Sequence, residues 1–315
     1  LTALAGALVS VSANAADVAV SGGASISFAG EESQTTGNGW SMNDGITFSM
    51  AGEMDNGWTV TVDYEVDEGY TNNALDNRIL TINTNGMGTV VFGGHGGSSA
   101  FGAVDDVTPT AYGESWDILS ASLDNGGATG TSVFNSIGSA GSENMFQYKS
   151  GDLVDGFSFS VSYVPSGTGE IESSTDMAIE YTGFDGLTVG YAAGENNASG
   201  GTNNTDNTTM YVKYAYGPVT VGYQFSEYDT YNSATDYDTT GMSIMYQIND
   251  DLSISYGERS VDIGGTAVDE EQSGISIGYS MGGMTVKAHA NSVDDAGGAA
   301  TADYEHTEIA VSFAF

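Results

Sequence analysis

Along residues 210–228, MYVKYAYGPVTVGYQFSEY, an apolar side chain stands at every second position on both sides of Tyr216-Gly217-Pro218. Met210, Val212, Tyr214 and Tyr216 share one face, with Thr209, Tyr211, Lys213 and Ala215 on the other. After the turn the parity resets: Val219, Val221, Tyr223 and Phe225 lie opposite Thr220, Gly222, Gln224 and Ser226. Period two predicts strands whose faces meet different surroundings. The pattern returns in Trp58, Val60, Val62, Tyr64; in Phe157, Phe159, Val161, Tyr163; in Leu252, Ile254, Tyr256; in Met284, Val286, Ala288; and in Ile309, Val311, Phe313, Phe315. About sixteen such segments fit between Val18 and Phe315, each near the ~9 to 11 residues that cross an outer membrane at a tilt.

The links between them alternate in length. Short ones fall at 55–57, 85–88, 151–156, 183–186, 216–218, 249–251 and 281–283. Longer polar ones lie near 31–39, 67–76, 95–142, 166–173, 195–205, 227–236, 262–270 and 293–303. Seven turns and eight loops join sixteen strands and leave both chain ends on the turn side, as a single-chain bacterial barrel requires. The predicted fold is therefore all-β, a 16-stranded antiparallel transmembrane β-barrel. A soluble β-sandwich would also alternate. Against it stand the Tyr and Trp residues near strand ends and an opposite face too polar to be a second core.

Composition narrows the field further. Forty-two acidic and five basic side chains give a formal charge of −37, which excludes phosphate-based binding of nucleic acid. The absence of cysteine decides little. Residues 1–15, LTALAGALVSVSANA, end in Ala13-Asn14-Ala15 and read as the remnant of a cleaved signal peptide, with the barrel domain over 16–315; a buried first strand or short helix is the alternative. No later stretch has the ~18 continuous apolar residues of a membrane helix, so a closed barrel is the available route across a bilayer.

In such a barrel outward positions meet hydrocarbon and inward positions meet water, and sixteen strands leave an aqueous channel. Parity puts Lys149, Lys213, Arg259 and Lys287 on the lumen face, together with Asp63 and Glu65. A lysine or arginine facing lipid at mid-depth would cost ~2 to 4 kcal/mol. Arg78 breaks the rule, sharing parity with Leu80 and Ile82; a rim position, a subunit interface or a shifted register would each accommodate it.

Residues 88–120, GTVVFGGHGGSSAFGAVDDVTPTAYGESWDILS, open the longest connection, and loops of that length in a compact fold are usually functional. Here the chain resembles the Gram-negative general porins, particularly their alphaproteobacterial branch. The resemblance rests on the Ala-x-Ala leader, the Gly-Thr-Val-Val-Phe-Gly-Gly strand before a long third loop, the strand count and the final Phe315, which looks like an outer-membrane assembly signal. It implies a third loop folded into the lumen, with loop acids Asp105, Asp106, Glu114, Asp117 and Asp124 facing wall bases drawn from Lys149, Lys213, Arg259 and Lys287. It also implies a homotrimer in the bacterial outer membrane, in contact with lipid, lipopolysaccharide and the barrel assembly machinery. These porins cluster several arginines at the constriction, whereas one is available here, so an acid-dominated pore that favours cations is expected.

Other chemistry finds less support. The loop acids read alternatively as solvated surface charges. Asp294-Asp295, Asp269-Glu270-Glu271 and Glu31-Glu32 could hold Ca²⁺ or Mg²⁺ loosely, but none has EF-hand spacing, and no resident cofactor is expected. His95, His289 and His306 have no nucleophile motif beside them, and 93–97 lacks the frame of a phosphate loop, so an enzyme is not expected. The resulting expectation is an outer-membrane channel, passive and water-filled, for small hydrophilic solutes and cations. The alternatives are a substrate-specific channel of the same architecture and a surface or secreted structural β protein.

Overall fold

The computed structural model describes residues 17–31, 39–67, 75–115, 143–151, 154–165, 173–197, 204–230 and 236–315. The expected signal remnant, Asp117 and Asp124 lie outside them. Sixteen strands follow in order: β1 (Asp17–Glu31), β2 (Trp40–Glu53), β3 (Thr59–Asp67), β4 (Asn77–Asn83), β5 (Thr89–His95), β6 (Met145–Lys149), β7 (Phe157–Val164) and β8 (Ser174–Phe184). They continue as β9 (Leu187–Asn196), β10 (Thr205–Tyr216), β11 (Val219–Thr230), β12 (Tyr237–Asn249), β13 (Leu252–Ile263), β14 (Glu270–Met281), β15 (Met284–Asp294) and β16 (Tyr304–Ala314). Each pairs antiparallel with its neighbours in sequence, and β16 pairs with β1 to close the ring. At the seam Gly22 and Phe315 exchange both backbone hydrogen bonds, at 3.2 and 2.9 Å. Closure leaves no sheet edge, which lipid would not tolerate.

Register carries the alternation all the way round. Met210 pairs with Phe225, Val212 with Tyr223 and Tyr214 with Val221, so apolar residues meet across every rung of one face. That face is the outside: Val18, Phe48, Phe146, Met210, Tyr223, Ile244, Ile275 and Ile309 are all exposed. A water-soluble fold would bury such residues; here they form the band that meets acyl chains. Inside, Gln147, Ser162, Thr209, Gln224, Ser255 and Ser276 are buried and polar. An apolar cluster inside the barrel, Ala100, Phe101, Ala178 and Ala192, is built by the third loop lying on β8 and β9.

Three details depart from the sequence pattern. Strand lengths run from 5 residues in β6 to 15 in β1. Strand β11 continues to Thr230, so 227–230 belong to the sheet, not to the loop. The alternation was hidden there because Glu227 and Asp229 occupy outward positions above the apolar band. Arg78 is resolved as a rim residue. It is exposed, second in β4 beside the loop end, and opposite Tyr64. An irregularity between Arg78 and Ile79 sets them against His95 and Gly93, and the Arg78 Nη2 donates to the Gly94 carbonyl at 3.2 Å.

Candidate functional site

The third loop leaves β5 at His95, and its described part, to Ser115, runs along the inner wall instead of outward into solvent. Its backbone is tied to strand after strand. Ala100 N–H donates to Ser162 Oγ of β7 at 2.7 Å. Gln224 of β11 clamps the next stretch: its Nε2 donates to the carbonyls of Val104 and Asp105 at 3.1 and 2.6 Å, while its Oε1 accepts from Val107 N–H at 3.0 Å. Ser243 Oγ of β12 donates to the Pro109 carbonyl at 2.7 Å. Ser255 and Ser276 accept from the N–H groups of Ala111 and Tyr112 at 2.9 and 3.0 Å. Asn291 of β15 donates to the Glu114 carbonyl at 2.8 Å, and the Tyr112 hydroxyl donates to Glu308 of β16 at 3.3 Å.

The wall beneath this path is made of glycine and small hydroxyl residues for a steric reason. A Cβ on Gly222 would stand 2.3 Å from Pro109 Cδ, and one on Gly278 would stand 2.7 Å from the Ala111 carbonyl oxygen. Hydroxyls between them replace the water that the loop displaces, so buried backbone groups keep partners. None of these anchors was singled out from sequence. Their signal is a run of Gly and Ser at inward positions of β11–β14, but nothing local says what they hold.

The loop acids lie along this path. Asp105 is half-buried, and desolvation raises its carboxyl from 3.8 to about 6, against the opposing pull of hydrogen bonds from the backbone N–H groups of Asp105 and Asp106. Asp106 turns toward the wall, where its carboxylate and that of Glu270 interact with the Arg259 guanidinium. Arg259 is 1% exposed and donates to Gln272 at 3.4 Å, so this base is covered by the loop. Glu270 belongs to the same buried group, taking the Gly297 N–H at 2.7 Å; it is not one of a solvated loop cluster. Lys287 Nζ lies 4.8 Å from the centre of the Tyr112 ring, held against the loop. Lys213 sits half-buried opposite Gly222, and Lys149 is exposed at the turn end of β6.

Across from the loop the picture differs. Strands β1–β5 turn Ser25, Ser27, Asn43, Thr47, Ser49, Thr61 and Thr81 inward with Asp63 and Glu65, and Asn77 donates to Glu65. Among the described residues of these five strands Arg78 is the one Lys or Arg, and it points outward. The loop thus carries Asp105 and Glu114, with Asp106 turned to the wall, and the strands across from it carry Asp63 and Glu65 on their inward face.

This architecture matches solved barrels. An anion-selective porin from Comamonas acidovorans superposes with a TM-score of 0.74 at 11% identity, over 95% of this chain and 100% of the other. OmpT of Vibrio cholerae in a trimer form gives 0.69 at 15% identity, over 96% and 100%. A mutant of Rh. blastica porin gives 0.67 at 16% identity, over 95% and 100%. No curated protein matches in sequence. The family model for Gram-negative porins matches residues 1–285, and with the closed sixteen-stranded ring and the loop laid inside it this places the chain in the Gram-negative porin family, as an outer-membrane β-barrel.

Proposed function

We propose that this porin is a passive, water-filled diffusion channel for small hydrophilic solutes and ions, that it prefers cations, and that it works as a homotrimer after removal of residues 1–15. The observation that carries the charge preference is the placement of the few bases. Arg259 is buried under the loop beside Asp106 and Glu270, Lys287 is held over Tyr112, and the open β1–β5 wall offers carboxylates alone among its inward charges. Carboxylates on both sides of a narrow aqueous path focus a field that concentrates cations and repels anions. The anion-selective likeness from Comamonas acidovorans, at 11% identity, speaks to the fold and leaves the charge lining to each chain's own residues. The trimer rests on family membership and on the trimer form of the Vibrio cholerae protein.

Reconstitution of the full chain into a planar bilayer under a salt gradient tests the reading. Steady conductance steps with a reversal potential of cation sign are expected, growing as salt is diluted because screening weakens. A reversal potential of anion sign would overturn the charge assignment. Saturable block of the current by one sugar or amino acid would replace a general channel with a substrate-specific one.

A further inference from the structure

Two of the three histidines come together inside the barrel, at a place that ion conduction does not require. His289 of β15 faces Glu308 across the β15–β16 pair, and His306 faces Asn291 one step along the same lumen side, so the histidines are diagonal neighbours. Their ring centroids are 5.1 Å apart, and His289 Nε2 is 4.0 Å from Glu308 Oε2. One ligand atom from each of His289, His306 and Glu308 lies within 4.8 Å of the others. The three are 4%, 1% and 9% exposed. Two imidazoles and a carboxylate gathered this closely under a protein cover bring nitrogen and oxygen donors within reach of a single ion.

We propose that His289, His306 and Glu308 form a binding site for a divalent transition-metal ion such as Zn²⁺. The donor set argues for that class: imidazole nitrogen suits Zn²⁺, Cu²⁺ and Ni²⁺, whereas Ca²⁺ and Mg²⁺ take oxygen ligands. Three protein ligands leave a position for water, as in many open zinc sites. A tetrahedral shell with bonds of ~2.1 Å separates its ligands by about 3.4 Å, so side-chain rotations that close roughly an ångström would complete it. Rigid β-strands, paired directly by backbone bonds, hold the three in place.

Occupancy reaches the loop through one residue. Tyr112 stacks on His289, with centroids 5.4 Å apart and planes at 27°, and donates its hydroxyl to Glu308 Oε2 at 3.3 Å. An ion held by His289 and Glu308 competes for the carboxylate oxygen that anchors Tyr112 and so couples metal binding to loop attachment. Lys287 lies on the same face with its ammonium against Tyr112, and its charge opposes the ion. The site stands independently of the cation preference proposed above, since it needs the three ligands and no particular field in the pore.

The test is calorimetric titration of Zn²⁺ into the full chain, folded in detergent and stripped of metal, with excess Mg²⁺ present throughout. One Zn²⁺ per chain is expected. His289→Ala and His306→Ala should each weaken binding ~10-fold or more, as loss of a ligand costs at least what loss of a supporting partner does. His95→Ala, at the rim beside Glu143, should bind as the parent does. Because His289→Ala removes the surface under Tyr112, a second measurement uses the unaltered protein: Co²⁺ in place of Zn²⁺ should show the intense visible absorption of a four-coordinate ion. No binding, parental affinity in the His289→Ala/His306→Ala double variant, or the pale spectrum of six-coordinate Co²⁺ would each overturn the assignment.

Discussion

At the scale of single residues, the loop is held by what the wall lacks as much as by what it offers. Gly222 sits in regular strand backbone, so a larger side chain there strains nothing except the contact with Pro109, 2.3 Å from the would-be Cβ. Gly222→Val should therefore leave the barrel folded and lift the loop, at a cost of about 1 to 3 kcal/mol from overpacking. Single-channel recording should show larger or noisier conductance steps, while Gly52→Val, with open space around its Cβ position, should behave as the parent. Asp105 gives a second handle. Its folded carboxyl is raised from 3.8 to about 6, so the protonated form is favoured by folding. That contribution is full below about pH 4 and is lost as pH climbs through about 6. Asp105→Asn should flatten this part of the stability profile and be the more stable protein at pH 7. In the pore the sign runs the other way: the charge exists above about pH 6, so cation preference measured by reversal potential should weaken on acidification through that value, and less so in Asp105→Asn.

At the scale of elements, strand and loop were legible to very different degrees. A strand between oil and water writes its two solvents into alternate residues, so the parity of Met210, Val212 and Tyr214, and with it the face of Lys213, could be read from a short window. It faded where the surroundings changed, at Glu227 and Asp229 above the apolar band and at Arg78 on the rim. The loop leaves no such periodic trace. Most of its anchors are more than a hundred residues away, as Pro109 is from Ser243 and Glu114 from Asn291, and those pairs meet because closure of the ring brings β11–β15 under it. Sequence could place acids in the loop and bases on the lumen parity, but not show that Arg259 would be buried or that Lys287 would lie over Tyr112 of that loop. The anchors carry their own expectation. Ser255→Ala together with Ser276→Ala removes the acceptors of two consecutive loop N–H groups, those of Ala111 and Tyr112. Each buried donor left without a partner costs ~1 to 3 kcal/mol. The doubly substituted protein should keep the gel mobility of a folded barrel yet expose its loop to protease, while Ser255→Thr, which retains the hydroxyl, should resist.

At the scale of the molecule, a formal charge of −37 surrounds a channel whose described open wall has carboxylates but no inward Lys or Arg. Total charge alone does not decide which ion passes, because charges farther from the ion than a Debye length of ~10 Å at 0.1 M salt are largely screened. Charges on the path itself should govern selectivity, and those are few enough to test. Asp63 and Glu65 lie four and six residues above Thr59, the turn end of β3, at about the height where Gln224 and Ser276 hold the loop on the other side. Asp63→Asn with Glu65→Gln removes two of 42 acids and keeps the hydrogen-bonding shapes, including a group able to face Asn77. Reversal potentials of this variant in dilute salt should move most of the way toward zero with little change in step size. Replacing two outward rim acids, Asp206 and Asp229, by asparagine should change the charge by the same amount and leave selectivity near the parental value. Equal shifts in the two variants would mean that the field of the whole surface, not the lining of the path, sets the preference.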